Sequence, residues 1–138
     1  MKERNIHGLW SMSFKDRILH SEVSGATNDE AGQAWLAELK AKVKSSKEGY
    51  SAPWVVLHDM RDWGMAPIDA WEGANSVINW VSEHHCILFA VVFSIKVQHF
   101  AFETGLKGQS IMRYYFDYEE AYQDCLDKLA EPQRQQDK

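Results

Sequence analysis

The sequence is poor in residues that cross-link a chain or hold it in a membrane. It contains two cysteines, Cys86 and Cys125, whose spacing matches neither a CxxC pair nor a zinc motif, so we expect two buried thiols. No apolar run approaches the roughly 18 residues of a membrane span, and residues 1–8 lack the apolar segment of a signal peptide. These absences predict a cytoplasmic protein without an integral membrane segment.

Positive charge is also scarce. Fifteen Lys and Arg stand against 20 Asp and Glu, which gives a formal net charge of −5. Because nucleic-acid binding rests on clustered basic residues, we expect no nucleic-acid partner. The lysines within residues 40–47 and the acidic residues within 117–127 are interpreted as solvated helix faces that complement the helix dipoles.

Sequence motifs of catalysis are missing as well. There is no GxSxG, P-loop, Rossmann fingerprint or Cys-His nucleophile pattern, so we predict no catalytic residue and no cofactor. His84 and His85 precede Cys86, but successive residues on a helix diverge by about 100°, which argues against a metal site. A protein without enzymatic activity is favoured.

What the sequence has in abundance is apolar and aromatic side chains. Hydrophobic residues make up 45% of the 138 positions and include six Trp, a composition typical of a folded globule. This length suits one domain, so we predict a single domain over residues 1–138, with 132–138 as a frayed tail. Four of the tryptophans, Trp54, Trp63, Trp71 and Trp80, fall within residues 53–81.

The first elements are predicted from alternation and from helix-start signals. Apolar residues alternate over 9–14 and 17–23 on either side of a polar turn at 15–16, a pattern typical of an antiparallel hairpin. Thr27 then begins a capping-box pattern as the predicted N-cap of a helix, which Gly49 is expected to end.

Two continuous apolar runs predict buried strands. Residues 54–59 suit a central strand that is covered on both faces and parallel to its neighbours, and residues 86–93 suit a second one. Between them we predict a turn over 62–64 and a helix that begins at Pro67.

The last third leaves one element open. Residues 94–106 fit either a short helix capped by Ser94 or a strand, and we favour the helix. Residues 111–116 predict a strand, and Asp117 opens a final helix with Leu126 on its inward side. The order β-β-α-β-α-β-α-β-α predicts an α/β fold: an open, mostly parallel sheet with an N-terminal antiparallel hairpin, covered by helices.

This order of elements, the strand that ends at Asp59 with Asp62 just beyond it, and the closing segment 114–121 together resemble the STAS-like superfamily, which includes the anti-sigma-factor antagonists. The similarity is closest to a bacterial branch of small stand-alone domains that are often compared with the lipid-carrying CRAL-TRIO fold. It covers nearly the whole chain. The resemblance implies a STAS-like fold and a role in binding a partner.

One position departs from the signalling members of that superfamily. They carry an Asp-Ser pair at the start of the second helix, and phosphorylation of the serine controls binding of a partner kinase. Asp69 matches the aspartate, but Ala70 stands in place of the serine and cannot accept a phosphate. Ser76 lies farther along the helix and is no obvious substitute. The resemblance therefore implies a module without the usual phosphorylation switch.

Polar residues at the end of the central strand are the first candidates for chemistry. Ligands of open α/β sheets bind beyond the carboxyl ends of the strands, which directs attention to residues 58–63. His58 and Asp59 point to opposite faces of a strand, however, and cannot both line one pocket unless the strand has already bent. Asp62 is equally well explained as a turn residue that bonds its own backbone. We interpret these residues as structural.

Aromatic residues near the same strand end form the functional hypothesis. These residues fit either the core or an apolar pocket or contact patch. Trp63 and Met65, in a predicted loop, are harder to explain as core than Trp35 or Trp80, so we favour the pocket or patch as the functional hypothesis. The candidate set for ligand or partner binding is Asp62, Trp63, Met65, Asp69, Trp71, Phe100 and Phe102.

This set supports two functions from different classes. The first is a non-enzymatic STAS-like module that binds a protein partner, or a second copy of itself, through residues 62–71. The second is a carrier or sensor of a small apolar or lipid-like molecule held beneath the Phe100 segment. An enzyme that uses Asp59 or Asp62 ranks third.

Overall fold

A five-stranded sheet carries the helices of the protein. The computed structural model describes residues 8–66, 70–106 and 110–131. In chain order the elements are β1 Leu9–Lys15, β2 Ile18–Gly25, α1 Asp29–Lys44, β3 Trp54–Trp63, α2 Ala70–Glu83, β4 Cys86–Val92, α3 Lys96–Gly105, β5 Met112–Tyr115 and α4 Tyr118–Ala130. The predicted α/β order is confirmed.

The sheet is mostly parallel, with an antiparallel hairpin at one edge. Its strands follow the order β1-β2-β3-β4-β5, and only β1 and β2 pair in opposite directions within the described residues. The hairpin turns at Asp16 and Arg17, one residue later than predicted, with φ of 55° and 65°. Two successive left-handed residues are typical of the two-residue type I′ turn, whose twist matches that of the strands.

Strand β3 lies at the centre of the sheet, as predicted. All of residues 54–60 are buried, and their side chains alternate between two core clusters. Val56 and Met60 belong to the cluster covered by α1, α2 and α3, whereas Val55 and Leu57 belong to the cluster covered by α4. Burial on both faces explains why this strand is a continuous apolar run in the sequence.

The ends of α1 differ from the prediction. Asn28, not Thr27, is the N-cap, and its Oδ1 accepts a hydrogen bond from the Ala31 N–H at 3.0 Å. The helix ends at Lys44 with Ser45 as C-cap, five residues before Gly49. Gly49 lies in the following loop with φ of 54°, a conformation that glycine adopts without a steric penalty.

Residues 94–106 contain a helix, as favoured from the sequence, although its start is fixed differently. The Oε1 atom of Gln98 accepts hydrogen bonds from the N–H groups of Ser94 (2.9 Å) and Ile95 (3.2 Å), so the predicted cap by Ser94 is wrong. The Nε2 atom of Gln98 donates to the carbonyl oxygens of Arg61 (3.2 Å) and Trp63 (2.9 Å). A single amide therefore joins the start of α3 to the end of β3.

Helix α4 begins at the predicted cap. Asp117 is its N-cap and accepts a hydrogen bond from the Glu119 N–H. Cys125 is buried, and both cysteines are free and buried as predicted, whereas Leu126 is 38% exposed and does not face inward. The predicted helix start at Pro67 and the predicted tail over 132–138 lie outside the described residues. Within the described part of the chain, no helix is both long enough and apolar enough to cross a membrane.

Candidate functional site

A cavity of about 490 Å³ lies between the sheet and the helices of the larger core cluster. Its deep wall consists of buried side chains from β2, β3 and β4 and from α1, α2 and α3: Val23, Ala31, Trp35, His58, Met60, Trp63, Ile78, Phe89, Phe102 and Leu106. The wall is thus apolar and largely aromatic, with one histidine among its members.

Three aromatic residues of the predicted set meet at this wall. Trp63, Trp71 and Phe102 pack edge to face, with ring centroids 6.1 Å (Trp63 to Trp71), 5.1 Å (Trp63 to Phe102) and 5.3 Å (Trp71 to Phe102) apart. The Trp63 Nε1–H donates to Thr27 Oγ1 at 2.9 Å, so the hydroxyl predicted to cap α1 holds this indole instead. Such aromatic clusters combine a large buried area with fixed relative orientations.

The predicted loop position of Trp63 is wrong. Strand β3 extends to Trp63, which pairs with Gly25 of β2 and is only 4% exposed. Trp63 is therefore a core residue that also lines the cavity.

Trp71 is held against α3 by close backbone approach. Its indole lies on Gly105, where an added Cβ atom would overlap the ring. The Nδ2 atom of Asn75 donates to the carbonyl oxygens of both Trp71 (2.8 Å) and Gly105 (2.9 Å). Because only a residue without a side chain leaves this space, Gly105 sets the position of one cavity wall.

The polar part of the wall is a short hydrogen-bonded chain. Ser21 Oγ accepts from the Trp35 Nε1–H at 2.8 Å and lies 3.1 Å from His58 Nδ1. The rings of Trp35 and Phe89 stand edge to face against the imidazole, at 5.1 and 5.4 Å. Burial lowers the pKa of His58 to about 4, although Asp59 acts in the opposite direction. His58 is therefore neutral near pH 7.

The exposed lining residues of the cavity lie on α1 and α2 and mark its mouth. Gln33, Glu72 and Ser76 line it and are exposed, and Gly32 lies beside them with no atom within 4 Å of an added Cβ. Two carboxylates, those of Asp29 and Glu72, border the cavity, and no Lys or Arg does so among the described residues.

The other members of the predicted set lie elsewhere. Asp62 is exposed and borders a separate depression of about 290 Å³ beside β1. Met65 is half-buried, and its carbonyl accepts from the Thr27 N–H at 3.0 Å. Phe100 is 68% exposed, so α3 does not place it with Phe102 at the cavity. Asp69 lies outside the described residues.

His58 and Asp59 do face opposite sides of the sheet, as predicted. Asp59 accepts from Arg61 at 2.9 Å (Nε) and 2.7 Å (Nη2), and the Arg61 guanidinium lies 5.3 Å from the Tyr118 ring of α4. Burial raises the pKa of Asp59, but the hydrogen bonds and charge of Arg61 outweigh it and hold the pKa below its usual value. This carboxylate is thus paired and ionised rather than poised as a base.

Two further features bear on function. The imidazole of His84 stacks on the Trp80 indole with ring centroids 3.9 Å apart. No group of three metal-ligating side chains occurs in the described residues. Val97 and Phe100 of α3 are exposed, as are Ile95 just before the helix and Phe116 after β5. Their apolar character is visible in the sequence, but which of them face outward depends on where α3 begins.

Comparison with known proteins identifies the fold. No protein-family model and no curated protein matches the sequence. The structure is similar to that of an anti-sigma factor antagonist from Mycobacterium paratuberculosis, with a TM-score of 0.62 and 14% identity over 86% of this chain and 93% of that one. It is also similar to an uncharacterised DUF3478-family protein with a SpoIIAA-like fold from Shewanella loihica, with a TM-score of 0.55 and 15% identity over 90% and 94% of the two chains. The chain therefore shares its fold with these two proteins, as the STAS-like resemblance of the sequence implies.

Proposed function

We propose that this protein is a non-enzymatic regulatory module that binds a small apolar molecule in the cavity between α1, α2 and the sheet. The observation that carries the proposal is a cavity of about 490 Å³ with an aromatic wall. Ligand pockets usually measure about 300–1,000 Å³ and are lined by hydrophobic residues with few polar groups. The size and lining of this cavity both fall within that description.

The packing of protein interiors supports the same proposal. Cores normally leave few voids larger than a water molecule, and an empty apolar void lowers stability because its lining loses contacts. Here the cavity is open at its mouth, but it is bordered by three aromatic rings, those of Trp35, Trp63 and Phe102, that are each more than nine-tenths buried. A bound apolar molecule would supply contacts that these side chains do not make with other residues.

The start of α2 links the ligand to regulation. Ala70, which stands where the resembled signalling proteins carry a phosphorylated serine, borders the cavity together with Trp71. A molecule in the cavity would therefore contact the same helix start that phosphorylation modifies in those proteins. We infer that ligand occupancy replaces phosphorylation as the signal at this surface.

Native mass spectrometry of freshly isolated protein tests the proposal. We expect an additional mass that organic extraction removes, and restored binding when apolar probes are added back. The variant Gly32→Leu places a side chain at the cavity mouth, where an added Cβ meets no atom within 4 Å. The matched control Ala37→Leu makes a similar change on the exposed side of α1.

The two variants separate occupancy from folding. We expect Gly32→Leu to fold but to lose the additional mass and most of the probe affinity, whereas Ala37→Leu keeps both. A wild-type protein that is free of ligand from the start and gives no response to any apolar probe would contradict the proposal.

A second candidate function is a protein contact through the outer side of α3. Its support is the exposure of three apolar side chains at the start of α3, those of Ile95, Val97 and Phe100, together with the fold shared with a protein described as an anti-sigma factor antagonist. Isolated apolar residues are common on surfaces, but Val97 and Phe100 are three residues apart and so lie on the same side of the helix, as is typical of an interaction site. The predicted route through residues 62–71 is less favoured because Trp63 is buried.

Sedimentation velocity and affinity capture test this second function. We compare wild type, Phe100→Asp and the control Ala37→Asp over a range of concentrations and as baits. Self-association or a captured protein that is lost only in Phe100→Asp would support the contact. A monomer that captures the same proteins in all three forms would rule it out.

A further inference from the structure

The hydrogen bonds of Ser21 determine which nitrogen of His58 carries a hydrogen. The Trp35 indole nitrogen can only donate, so the Ser21 oxygen accepts from it. The hydroxyl hydrogen of Ser21 must then find another acceptor, because Ser21 is only 3% exposed. The acceptor at hydrogen-bonding distance is His58 Nδ1, at 3.1 Å. Donation from Ser21 to Nδ1 gives the hydroxyl hydrogen an acceptor and leaves the imidazole hydrogen on Nε2.

The Nε2–H of His58 has no acceptor among the described residues, although the side chain is more than nine-tenths buried and lines the cavity. The rings on either side of it belong to Trp35 and Phe89 and offer only π-faces or edges. Because His58 lines the cavity and its Nε2 is not among the buried polar atoms closed off without a partner, the Nε2–H is accessible from the cavity. The wall of the cavity therefore contains a hydrogen-bond donor for which a molecule in the cavity can supply the acceptor.

The charges around the cavity limit the kind of partner. Asp29 and Glu72 lie at its border, and no basic residue does so among the described lining residues. An anionic ligand would be repelled there and would lose its hydration in the apolar interior without an opposite charge. A cation would find no acidic side chain at the deep wall.

We propose that the cavity selects an uncharged, mainly apolar molecule that carries a hydrogen-bond acceptor, such as a ketone, ester or ether oxygen, and that this acceptor binds the His58 Nε2–H. The inference rests on the proposed function, since it names the ligand class of the same cavity. Ser21 and Trp35 act as positioning residues that fix the tautomer and ring orientation of His58. Fatty-acid carboxylates and phosphorylated lipids fall outside this class.

The tautomer is open to a direct test without any ligand. Nitrogen-15 NMR of the imidazole at pH 7 distinguishes a ring protonated at Nε2 from one protonated at Nδ1. We expect the Nε2–H form for His58 in wild type and a mixture of both forms in Ser21→Ala. A wild-type ring protonated at Nδ1 would overturn the proposal.

Three matched probes test the ligand class: 2-acetylnaphthalene, 2-ethylnaphthalene, which replaces the ketone by a methylene, and 2-naphthoate, which carries a negative charge. Binding is followed through the indole N–H signals of Trp35 and Trp63. We expect wild type to prefer the ketone to the hydrocarbon by about five- to tenfold, the factor that one net hydrogen bond supplies. We expect 2-naphthoate to bind most weakly.

Variants at His58 assign this preference to its donor. His58→Phe keeps an aromatic ring without a donor and should abolish the preference for the ketone while binding of the hydrocarbon persists. His58→Gln places an amide N–H at a similar reach and should restore part of the preference. His20→Phe, outside the cavity, should leave the preference unchanged. If His58→Phe does not fold, the tautomer of His58 in wild type and the probe affinities of His58→Gln still test whether the Nε2–H binds the acceptor.

Failure of this proposal differs from failure of the proposed function. Equal binding of ketone and hydrocarbon in wild type, or tightest binding of 2-naphthoate, would overturn the ligand class while leaving the cavity as a binding site. Absence of binding for all three probes would contradict the cavity as a site for apolar molecules of this size and shape, and with it the inference drawn from His58.

Discussion

His58 places an ionisable ring in an otherwise apolar wall, and this makes the stability of the protein depend on pH. The ring protonates near pH 6.5 in the unfolded chain, whereas burial lowers its pKa to about 4 in the folded protein. Between pH 6.5 and 4 the unfolded chain binds a proton at this ring that the folded protein does not bind. The free energy of unfolding therefore falls as the pH drops from 6.5 towards 4, whereas above pH 6.5 the ring has no such effect. At 1.36 kcal/mol per pH unit the expected loss is about 3 kcal/mol.

Urea unfolding of wild type and His58→Gln between pH 7 and pH 4 measures this contribution. The glutamine does not titrate, so we expect its free energy of unfolding to fall less steeply over the same range. His20, whose pKa is also lowered by burial, is present in both proteins and does not affect the difference. Parallel pH profiles would show that His58 is solvated in the folded state.

Thr27 offers a second prediction at the residue scale. Its hydroxyl accepts from the Trp63 indole at 2.9 Å, and both residues line the cavity. Thr27→Val removes the acceptor but keeps the shape, which leaves the indole N–H unpaired and should lower the free energy of unfolding by about 1–2 kcal/mol. Thr27→Ser retains a hydroxyl and is expected to stay close to wild type. The measurement is urea denaturation, and a loss of equal size in both variants would contradict the hydrogen bond.

At the scale of elements, two helical glycines lead to opposite predictions. An added Cβ at Gly105 overlaps the Trp71 indole, whereas one at Gly32 meets nothing within 4 Å. Gly105→Ala should therefore displace Trp71 and lower the free energy of unfolding by about 1–3 kcal/mol, the usual cost of overpacking. Gly32→Ala should raise it by about 0.5–1 kcal/mol, because alanine favours the helix.

Thermal or urea unfolding of the two variants checks the difference in sign, and the indole N–H signal of Trp71 in NMR adds a local readout. We expect that signal to shift strongly in Gly105→Ala only. Stabilisation by both substitutions would mean that α3 and α2 lie farther apart than the hydrogen bonds of Asn75 to Trp71 and Gly105 indicate.

The order of the elements followed from local patterns, because each helix and each strand carries its own periodicity or apolar run. Element ends depend on partners that are distant in the sequence. The sequence predicts a turn over 62–64, yet pairing of Trp63 with Gly25 of β2 extends β3 to Trp63. Gln98, which fixes the start of α3 by binding Arg61 and Trp63, gives no signal in its own segment.

The candidate site could be predicted only in part, because some of its contacts join residues that are distant in the sequence. The sequence groups Trp63 and Trp71, near one strand end, with Phe102 of the segment 94–106 because all three are aromatic, and they do lie together. Phe100 was grouped with Phe102 although two residues on a helix differ by about 200° in direction, and only Phe102 faces the core. The role of His58 depends on Ser21 and Trp35, which come from two other elements. The assignment of these residues to ligand binding stays a prediction.

At the scale of the whole molecule, the sheet separates two cores that differ in packing. Helix α4 covers one face with a smaller cluster that includes Leu57, Ala90 and Cys125, and all three are at most 1% exposed. Three helices cover the other face, and the cavity of about 490 Å³ lies within that layer. A side chain that borders a void has fewer neighbours to lose than one enclosed on all sides.

Two isoleucines provide a matched test of this difference. Ile18 is 1% exposed in the cluster beneath α4, and Ile78 is 3% exposed but borders the cavity. Substitutions of Ile by Ala cost about 2–5 kcal/mol, depending on how many contacts are lost. We expect Ile18→Ala to lie near the upper end, at about 4 kcal/mol, and Ile78→Ala near the lower end, at about 2 kcal/mol. Urea denaturation of both variants measures the difference between the two losses of free energy of unfolding.

A saturating apolar ligand should increase the loss for Ile78→Ala, because the ligand supplies contacts that the wild-type isoleucine otherwise lacks. Equal losses in ligand-free protein would show that the two faces are packed alike, and that the space between α1 and α2 does not behave as a cavity in solution.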